Sequence, residues 1–301
     1  MNNHSVDLRR LETLLLLSRL GSMRAVADEL HTTTSTVSQQ IAVLSREVGA
    51  VLIEPDGRRV RLTPAGRRLT RHAVTILAAV EAARLDLDPS AEPAGTVRVA
   101  GFASAIRRAL LPAVAQLAAH HPLVRLHIHE HEPAEALALL ASDAIDIALV
   151  YDYDLAPAAT DPTLYHRPLW TTRWSLGVPA GEAGSSRPAP GVFARYRDHD
   201  WIVNSRGPAD ETAVRTIASL AGFEPRITHF ADTLELVQDL IVAGLGVGLL
   251  PAGQPTQTGV RLLPLREPDL HLRAYAVARH GRTNWPPLAL VLELLATGAT
   301  T

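Results

Sequence analysis

One short stretch, HTTTSTVSQQIAVLSREVG at residues 31–49, constrains the fold of this chain more than any other. Thr33 is a favourable N-cap and Gly49 a favourable stop, so the pattern predicts a helix between them. Apolar residues recur at spacings of four, three and four from Val37 to Val48, which places them on one buried face. Uncharged hydroxyl and amide side chains occupy the opposite face near the start of the helix: Thr34, Ser35, Thr36, Ser38, Gln39 and Gln40.

Such side chains both donate and accept hydrogen bonds, so this face, with Thr33, suits contacts with base edges and phosphates. The alternative is an ordinary amphipathic helix with a polar end. The preceding residues favour DNA contact, because Asp7 to Leu20 predicts a helix that Gly21 ends and Ser22 begins a second, short one. A tight turn joins this second helix to the one that begins after Thr33. Two helices joined in this way form a helix-turn-helix, which places the later helix in a major groove.

A predicted β-hairpin follows Gly49. The runs AVLI and VRLT are strand-like and flank EPDGRR, in which Asp56-Gly57 is a strong turn signal. Arg58 and Arg59 lie at the tip, which suggests a wing that binds phosphate or enters a minor groove. The alternative is a solvated hairpin with surface charges.

The distribution of charge supports binding of nucleic acid by the N-terminal part of the chain, which carries the predicted helices and hairpin and is called the head below. The first 72 residues hold eleven Arg and seven acidic residues, whereas the rest hold eighteen Arg and twenty-four acidic residues. A basic head on an acidic body indicates a polyanion partner for the head. No cysteine occurs, which excludes disulfides and thiolate metal sites. The N-terminus lacks a signal-peptide pattern and no apolar run is as long as a membrane span, so we expect a cytoplasmic location and no membrane partner.

A long helix is predicted from Thr63-Pro64, which combine a good N-cap with Pro at the first helical position. Apolar residues then recur at alternating spacings of four and three, typical of a coiled-coil seam and therefore of dimerisation. The alternative is a helix that packs on its own chain. Pro89, Pro93 and Gly95 break the pattern. The predicted seam consists of Leu69, Ala73, Ile76, Val80, Ala83 and Leu87.

Strands alternate with helices from residue 91 onward, which is typical of α/β units. The first unit holds the strand Thr96–Ala100, the strand VRLHIHE and a nearly all-apolar strand from Ile145. After the Gly/Pro/Ser-rich GEAGSSRPAPG, the strands DWIVNS, RITHF and VGLLP form a second unit with the helices between them. The closing strands RLLPL and LRAYAVA and the helix PPLALVLELLA are expected to return to the first unit. Two such lobes enclose a cleft.

Ligands of such sheets bind beyond the carboxyl ends of the strands. Ser104 is expected to cap the following helix, whose free N–H groups attract an anion. Asp152 and Asp154 would repel a carboxylate, which leaves an amine-bearing or neutral ligand open. The predicted ligand-contacting residues are Phe102, Ala103, Ser104, Tyr151, Asp152, Asn204, Ser205 and Thr233.

The sequence is also compatible with other classes of protein. His127, His129 and His131 alternate on a predicted strand, which permits a metal-sensing or solute-binding protein without specific DNA recognition. The same histidines also suit an edge strand or a pH-responsive interface. The motifs GxSxG, HExxH, the P-loop and GxGxxG are absent, and AGLGVG at residues 243–248 follows a helix and opens a strand. We therefore expect no enzyme and no cofactor, and the ligand of the cleft is an unidentified small molecule.

The motifs and their order make the chain similar to LysR-type transcriptional regulators. In the head these are VDLRRLETLL, GS with Ala27 and Leu30, HTTTSTVSQQIAVL, Gly49 with Leu52, and GRRVRLTPAG, in a gapless register. In the body they are ALLPAVAQLAAHHPLVRLHIHE, DIALV and DTLELVQDLIVAGLGVGLLP. The chain departs from the family pattern in having Pro55 in place of Arg, Ser35 in place of Pro, Val26-Ala27 in place of two alanines and Leu44-Ser45 in place of Leu-Glu.

The resemblance implies an α/β protein overall with three parts. These are a winged helix-turn-helix head (1–62), a linker and dimerisation helix (63–90), and a two-lobed α/β effector-binding domain (91–301) that resembles periplasmic binding proteins. Lobe I is expected at about 91–165 and 266–301, and lobe II at about 166–265. The implied partners are double-stranded promoter or operator DNA, a small organic acid or related metabolite, a second copy of the chain in a dimer or tetramer, and RNA polymerase if the protein activates.

Overall fold

The computed structural model describes residues 6–57, 59–88, 91–181 and 187–298. The head consists of three helices, a hairpin and the start of a long helix, in the predicted order. These elements are α1 (Leu8–Leu20), α2 (Met23–Glu29), α3 (Thr34–Glu47), β1 (Ile53–Asp56), β2 (Arg59–Leu62) and α4 (Pro64–Leu87). The helix-turn-helix and the hairpin are therefore confirmed.

The helices of the head begin where the sequence places an N-cap. The side chains of Asp7, Ser22, Thr33 and Thr63 accept hydrogen bonds from the backbone N–H groups of residues two or three positions later, at 2.8, 3.4, 3.1 and 3.0 Å. Each bond satisfies one of the N–H groups that a helix start leaves free. At the other end of α1, Gly21 has a left-handed backbone, which lets the chain turn sharply into α2.

The head has a core of its own, formed where α1 and α3 pack together. Leu14, Val37, Ile41 and Leu44 are completely buried there, as the spacing predicts. Ala73 of α4 is buried in the same core, and Leu69 packs against it. The first part of the predicted seam is therefore covered by the chain itself, which corrects the prediction that Leu69 and Ala73 contact a second copy.

The body is built on one mixed sheet with helices on both sides. Its strands are β3 (Gly95–Gly101), β4 (Val124–Glu130), β5 (Ile147–Tyr153), β6 (Leu164–Pro179), β7 (Asp200–Val203), β8 (Arg226–Phe230), β9 (Val247–Pro251), β10 (Val260–Pro264) and β11 (His271–Arg279). Its helices are α5 (Ala103–Ala105), α6 (Leu111–His120), α7 (Pro133–Ala141), α8 (Ala189–Arg195), α9 (Ala209–Leu220), α10 (Leu234–Val242) and α11 (Pro286–Gly298). A π-helical turn (Ile106–Leu110) connects α5 to α6, and a short 3-10 turn (His280–Arg282) precedes α11.

The long strand β6 joins the two lobes. The strand order is β4-β3-β5-β11-β6-β9-β7-β8, with β10 paired to β6. Strands β3, β4 and β5 run parallel in the first lobe, and β7, β8 and β9 run parallel in the second. Strand β6 pairs with β11 from Leu164 to Arg173 and with β9 from Trp174 to Gly177, so it passes from one lobe into the other.

The closing segments return to the first lobe only in part. Strand β11 pairs with β5, and α11 packs against α6, as predicted. The segment RLLPL does not return, because β10 pairs with the second half of β6, with Val260 opposite Pro179 and Pro264 opposite Ser175.

A membrane-spanning helix needs both length and an apolar sequence, and none of the helices in the described part of the chain combines the two.

Candidate functional site

The first half of α3 presents an exposed and uncharged polar surface. Thr34, Ser35, Ser38 and Gln39 are exposed, whereas Thr36 is half-buried. Thr33 and Thr36 also bond to each other, with 2.9 Å between their hydroxyl oxygens. Four of the predicted DNA-contacting side chains are therefore free to meet a partner, and Thr33 serves chiefly to start the helix.

Gln40 has a different role from its neighbours. Its Oε1 accepts a hydrogen bond from the Thr13 hydroxyl of α1 at 2.5 Å. At the far end of α3, Glu47 is paired with Arg10 of the same neighbouring helix. These two contacts, together with the buried apolar face, fix the orientation of α3 so that its polar face points away from the head.

The hairpin forms with the predicted turn. Pro55 lies opposite Val60 and Asp56 opposite Arg59, with Gly57 in the left-handed conformation that the turn requires. Arg58 and the side chain of Arg59 lie outside the described residues. Within the described part, Arg61 is paired with Glu54 of the facing strand at 3.0 Å.

The second half of the seam on α4 is open to solvent. Ile76 is 41% exposed and Leu87 is 82% exposed. Ala83 is exposed too, and Val80 is half-buried. The part of the predicted seam that is available to a second chain thus begins at Ile76.

A cleft of about 760 Å³ lies between the two lobes. Six of the eight predicted ligand-contacting residues line it: Phe102, Ala103, Ser104, Tyr151, Asn204 and Thr233. They come from the carboxyl ends of β3, β5 and β7 and from the start of α10. The strand-end rule therefore located this cleft correctly.

Three details of the predicted cleft are wrong. Asp152 does not line it, because strand β5 directs this buried carboxylate to Arg273 of β11, whose Nε and Nη2 donate at 2.9 and 2.7 Å. Ser205 does not line it either, and its backbone N–H donates to Asp232 at 3.1 Å. Ser104 does not cap a helix, because Phe102 stands at the N-cap position without a side-chain bond.

Five acidic side chains in the lining were not predicted: Glu130, Glu132, Asp210, Asp232 and Glu235. Glu132 is buried, and the hydroxyl of Tyr151 donates to its Oε2 at 3.0 Å. Burial raises the pKa of Glu132, and the Tyr151 bond opposes the shift. Glu132 follows β4 by two residues, so the strand-end rule that selected Tyr151 could have found it.

Asp210 lies in the first turn of α9, in the second lobe. Its Oδ1 is inaccessible to solvent and has no hydrogen-bond partner among the described residues. Burial raises its pKa to about 6, and the hydroxyl of Tyr153 opposes the shift without reaching hydrogen-bond geometry. In the sequence it reads as an ordinary acidic residue at a helix start, so only the packing of the lobes shows where it lies.

Aromatic rings form part of the cleft wall. The rings of Phe102 and Tyr151 meet edge to face, with 4.8 Å between their centroids. Both rings and Trp174 line the cleft and are nearly buried, at 5%, 8% and 7% exposure.

The histidine-rich strand does not assemble a metal site in the described structure. His127 and His129 are exposed on β4. His131 follows the strand and lies with its Nδ1 3.2 Å from Glu135 Oε2. The described residues hold no group of three His, Asp or Glu side chains placed to bind a metal ion.

Two family models match the chain. The one described as "Bacterial regulatory helix-turn-helix protein, lysR family" matches residues 8–67, and the one described as "LysR substrate binding domain" matches residues 90–300. The DNA-binding transcriptional dual regulator OxyR of Escherichia coli is 26% identical over an alignment 317 positions long, which covers 97% of each chain. The hydrogen peroxide-inducible genes activator of Pectobacterium carotovorum is 26% identical over 285 residues, 88% of this chain and 87% of that one.

A solved structure supports the same assignment of the fold. Full-length OxyR from Pseudomonas aeruginosa, in a variant form, superposes with a TM-score of 0.75 at 19% identity, and the match covers 99% of this chain and 95% of that one. Because the family matches cover the head and the body alike, the chain belongs to the LysR family, whose members are DNA-binding transcriptional regulators with an effector-binding domain and not enzymes.

Proposed function

We propose that this regulator binds promoter or operator DNA as a dimer, with α3 of each head in a major groove. The observation on which the proposal rests is the exposed face of α3, where Thr34, Ser35, Ser38 and Gln39 are free while the opposite face is fixed in the core. Amide and hydroxyl groups in a major groove read base edges directly. Arg58 and Arg59 of the hairpin would contact the phosphate backbone or the minor groove.

The exposed seam on α4 supports two heads in one DNA-binding unit. Ile76, Val80, Ala83 and Leu87 form an apolar strip that a second copy of the same helix would cover. Two heads held at a fixed spacing read two half-sites, which raises both affinity and specificity. A tetramer and, for an activating role, contact with RNA polymerase are part of this proposal. Because the proposed partner is chromosomal DNA, the proposed location of the protein is the cytoplasm.

The cleft would bind the effector and set the placement of the heads. A ligand shifts a protein between two arrangements only by binding one of them better than the other. A site built from both lobes would have this property, because closing the lobes would bring Phe102 and Tyr151 of one lobe toward Asn204 and Thr233 of the other, all of which line the cleft. A thiol-based response to peroxide is excluded, since the chain contains no cysteine.

Fluorescence anisotropy tests the proposed DNA binding. Purified full-length protein is titrated onto labelled DNA from upstream of its own gene and onto a scrambled duplex, each at two salt concentrations. We expect tighter binding to the native sequence, and weaker binding to both duplexes at higher salt because phosphate contacts release counterions. Equal, weak binding to both duplexes and to random genomic fragments would contradict the proposal.

A further inference from the structure

The cleft between the lobes has an excess of acidic side chains. Its lining includes Glu130, Glu132, Asp210, Asp232 and Glu235, and the only basic side chains among the described residues that line it are those of two arginines. An anionic effector, which the family resemblance implies, would enter a cavity of the same sign. The distribution of these charges therefore bears on the class of ligand.

Both arginines are engaged at the mouth of the cleft. Arg107 lies across it from Glu235, with 3.4 Å between Nη1 and Oε1. Arg108 stacks over the ring of Trp170, 4.9 Å from its centroid, and its Nη1 lies 3.4 Å from the hydroxyl oxygen of Thr172. Both side chains are exposed to solvent, so neither offers a desolvated counter-charge to a carboxylate deeper in the cleft.

Two acidic groups of the cleft lack a cation. No Arg or His side chain lies within 4.0 Å of Glu132 or Asp210 in the described ranges. Arg206, whose charge acts on Glu132, is itself paired with Glu135. Buried carboxylates are ordinarily paired with a cation or fully hydrogen-bonded, because removing their charge from water is costly. Two such carboxylates without a cation in one cavity indicate a binding site for a ligand that carries the positive charge.

The two carboxyl groups approach the cleft from opposite lobes. Glu132 precedes α7 in the first lobe, and Asp210 lies in the first turn of α9 in the second lobe, with its Oδ1 buried and unbonded. The charge of Asp210 raises the cost of ionising Glu132, because like charges repel across a site shielded from water. A cation between them would replace that repulsion with two attractions, and it would favour the closed arrangement of the lobes.

The remaining lining suits an organic cation rather than a metal ion. Phe102, Tyr151 and Trp174 offer aromatic rings, whose faces attract ammonium and guanidinium groups. Ile202, Val203, Leu249 and Leu272 add apolar side chains to the lining. Hard metal ions prefer six or more oxygen ligands, and the described residues hold no group of three metal-binding side chains.

We propose that the effector is an organic cation, with a protonated amine or a guanidinium or amidinium group on an apolar body, held between Glu132 and Asp210. This inference rests on the proposed function, because it names the ligand class of the same cleft. The aromatic wall would take the apolar body of the ligand. Tyr151, which donates to Glu132, would hold that carboxylate toward the bound cation.

A charge series on one molecular body tests the proposal with full-length protein at pH 8. The probes are 2-phenylethylamine, its neutral analogue 2-phenylethanol and its anionic analogue 3-phenylpropionate, together with benzamidine and Mn²⁺. Binding is measured by isothermal titration calorimetry and by the shift in melting temperature. We expect both organic cations to bind at least tenfold more tightly than the alcohol, and the carboxylate and Mn²⁺ to leave the melting temperature unchanged.

Isosteric variants locate the binding site. Glu132→Gln and Asp210→Asn keep the shape of the cleft and remove one charge each, so each should weaken binding of 2-phenylethylamine at least tenfold. Asp198→Asn removes an exposed carboxylate of the second lobe outside the cleft, and should leave that binding unchanged. Each variant is also melted in the absence of probe, and a melting curve like that of the native protein establishes that the variant folds.

The outcomes separate this inference from the proposed function. Tighter binding of 3-phenylpropionate than of 2-phenylethylamine would overturn it, as would stabilisation by Mn²⁺ alone, binding unaffected by both variants, or no binding of either organic cation. The same preparations are titrated onto the upstream DNA. Specific DNA binding with no effect of the cations would reject the ligand class and keep the regulator, whereas loss of both would reject the proposed function.

Discussion

Two aspartates, Asp146 and Asp210, show how partners decide the ionisation of a buried group. Burial alone raises the pKa of each. At Asp146 the hydrogen bonds from Arg98, with Nε and Nη2 at 3.0 and 2.9 Å, outweigh burial and hold the pKa below its ordinary value. At Asp210 no cation offsets burial, and the pKa rises to about 6. The first arrangement is typical of a structural ion pair, and the second of a binding site for a positively charged ligand.

Asp210→Asn should stabilise the unliganded protein at high pH. Because the folded-state pKa lies above the unfolded value of 3.8, the stability that native Asp210 contributes is full at low pH and is lost as the pH rises through about 6. The difference between the two pKa values corresponds to at most about 3 kcal/mol. The variant should therefore match the native protein near pH 4 and exceed it at pH 8, measured by urea unfolding across that range. A less stable variant at pH 8 would show that Asp210 is already paired.

Gln39→Ala tests direct base contact by the exposed face of α3. Gln39 has the longest free amide on that face, and loss of a bidentate contact should reduce the preference for native over scrambled DNA by about 1–3 kcal/mol, roughly 5- to 150-fold. The measurement is the ratio of the two dissociation constants by fluorescence anisotropy. Ser219→Ala, an exposed polar residue on α9 of the body, is the control and should leave the ratio unchanged.

Arg59→Ala gives the complementary result for a phosphate contact. It should weaken binding to native and scrambled DNA alike, and lower the slope of affinity against salt concentration by about 1. An unchanged salt slope would remove Arg59 from the DNA interface. If Gln39→Ala behaved in the same uniform way, α3 would be contacting the backbone rather than the bases.

The long helix α4 has separate apolar surfaces for its own chain and for a partner. Val74 and Ala78 are buried against the rest of the chain, whereas Ile76, Ala83 and Leu87 are exposed on another face. The heptad pattern alone could not distinguish these surfaces. Spacing shows only that apolar side chains share a stripe, and the packing of α1 on α4 decides which part of the stripe remains free.

The double variant Ile76→Glu, Leu87→Glu should disrupt the dimer seam. Four charges brought together in a two-chain seam repel one another and replace apolar contact. We expect the mass from multi-angle light scattering to fall by half, and DNA affinity to fall by about 100-fold or more because two-headed binding is lost. Asp86→Lys, an exposed charge change on the same helix, is the control. An unchanged mass would place the dimer contact elsewhere.

Elements with strong local signals could be predicted, and those that depend on distant partners could not. Caps and turns gave the starts of α1, α2, α3 and α4, and apolar runs gave β5 and β9. Strand β6 was not predicted because its first ten residues lack a consistent alternation, and it is held by long-range pairing with β11. The short α8 lies in a Pro- and Gly-rich stretch, where local signals favour a loop.

The cleft was found through the same strand-end rule, but its chemistry was not. The rule placed Phe102 and Tyr151 correctly, since Phe102 follows a parallel strand and Tyr151 lies near the end of one. It could not show that Asp152 points to Arg273 and away from the cleft, because alternate residues of a strand face opposite sides of the sheet. Part of the acidic character of the site comes from Glu132 and Asp210, which are 78 positions apart in sequence and line one cleft only when the lobes assemble.

The head and the first lobe are joined by buried charges. Arg19 at the end of α1 reaches Asp143, which follows α7, with 3.0 Å between Nε and Oδ2, and its Nη2 lies 3.9 Å from Asp146. Both aspartates are buried, and Arg98 of β3 fixes Asp146 from within the lobe. A change in the first lobe on ligand binding therefore has a direct physical route to the head.

Arg19→Ala should loosen that connection without touching the DNA-contacting face of α3. Removing one partner of a buried ion pair leaves the carboxylate of Asp143 uncompensated, which we expect to cost on the order of 2 kcal/mol in local stability. Hydrogen exchange followed by mass spectrometry should show amides near Asp143 and at the end of α1 opening about 30-fold more readily. DNA affinity without effector should change little, whereas the effect of a cleft ligand on DNA affinity should shrink. Arg84→Ala, which removes an exposed arginine of α4, should alter neither quantity. If Arg19→Ala left both the exchange near Asp143 and the ligand response unchanged, the heads would have to receive the signal through α4 alone.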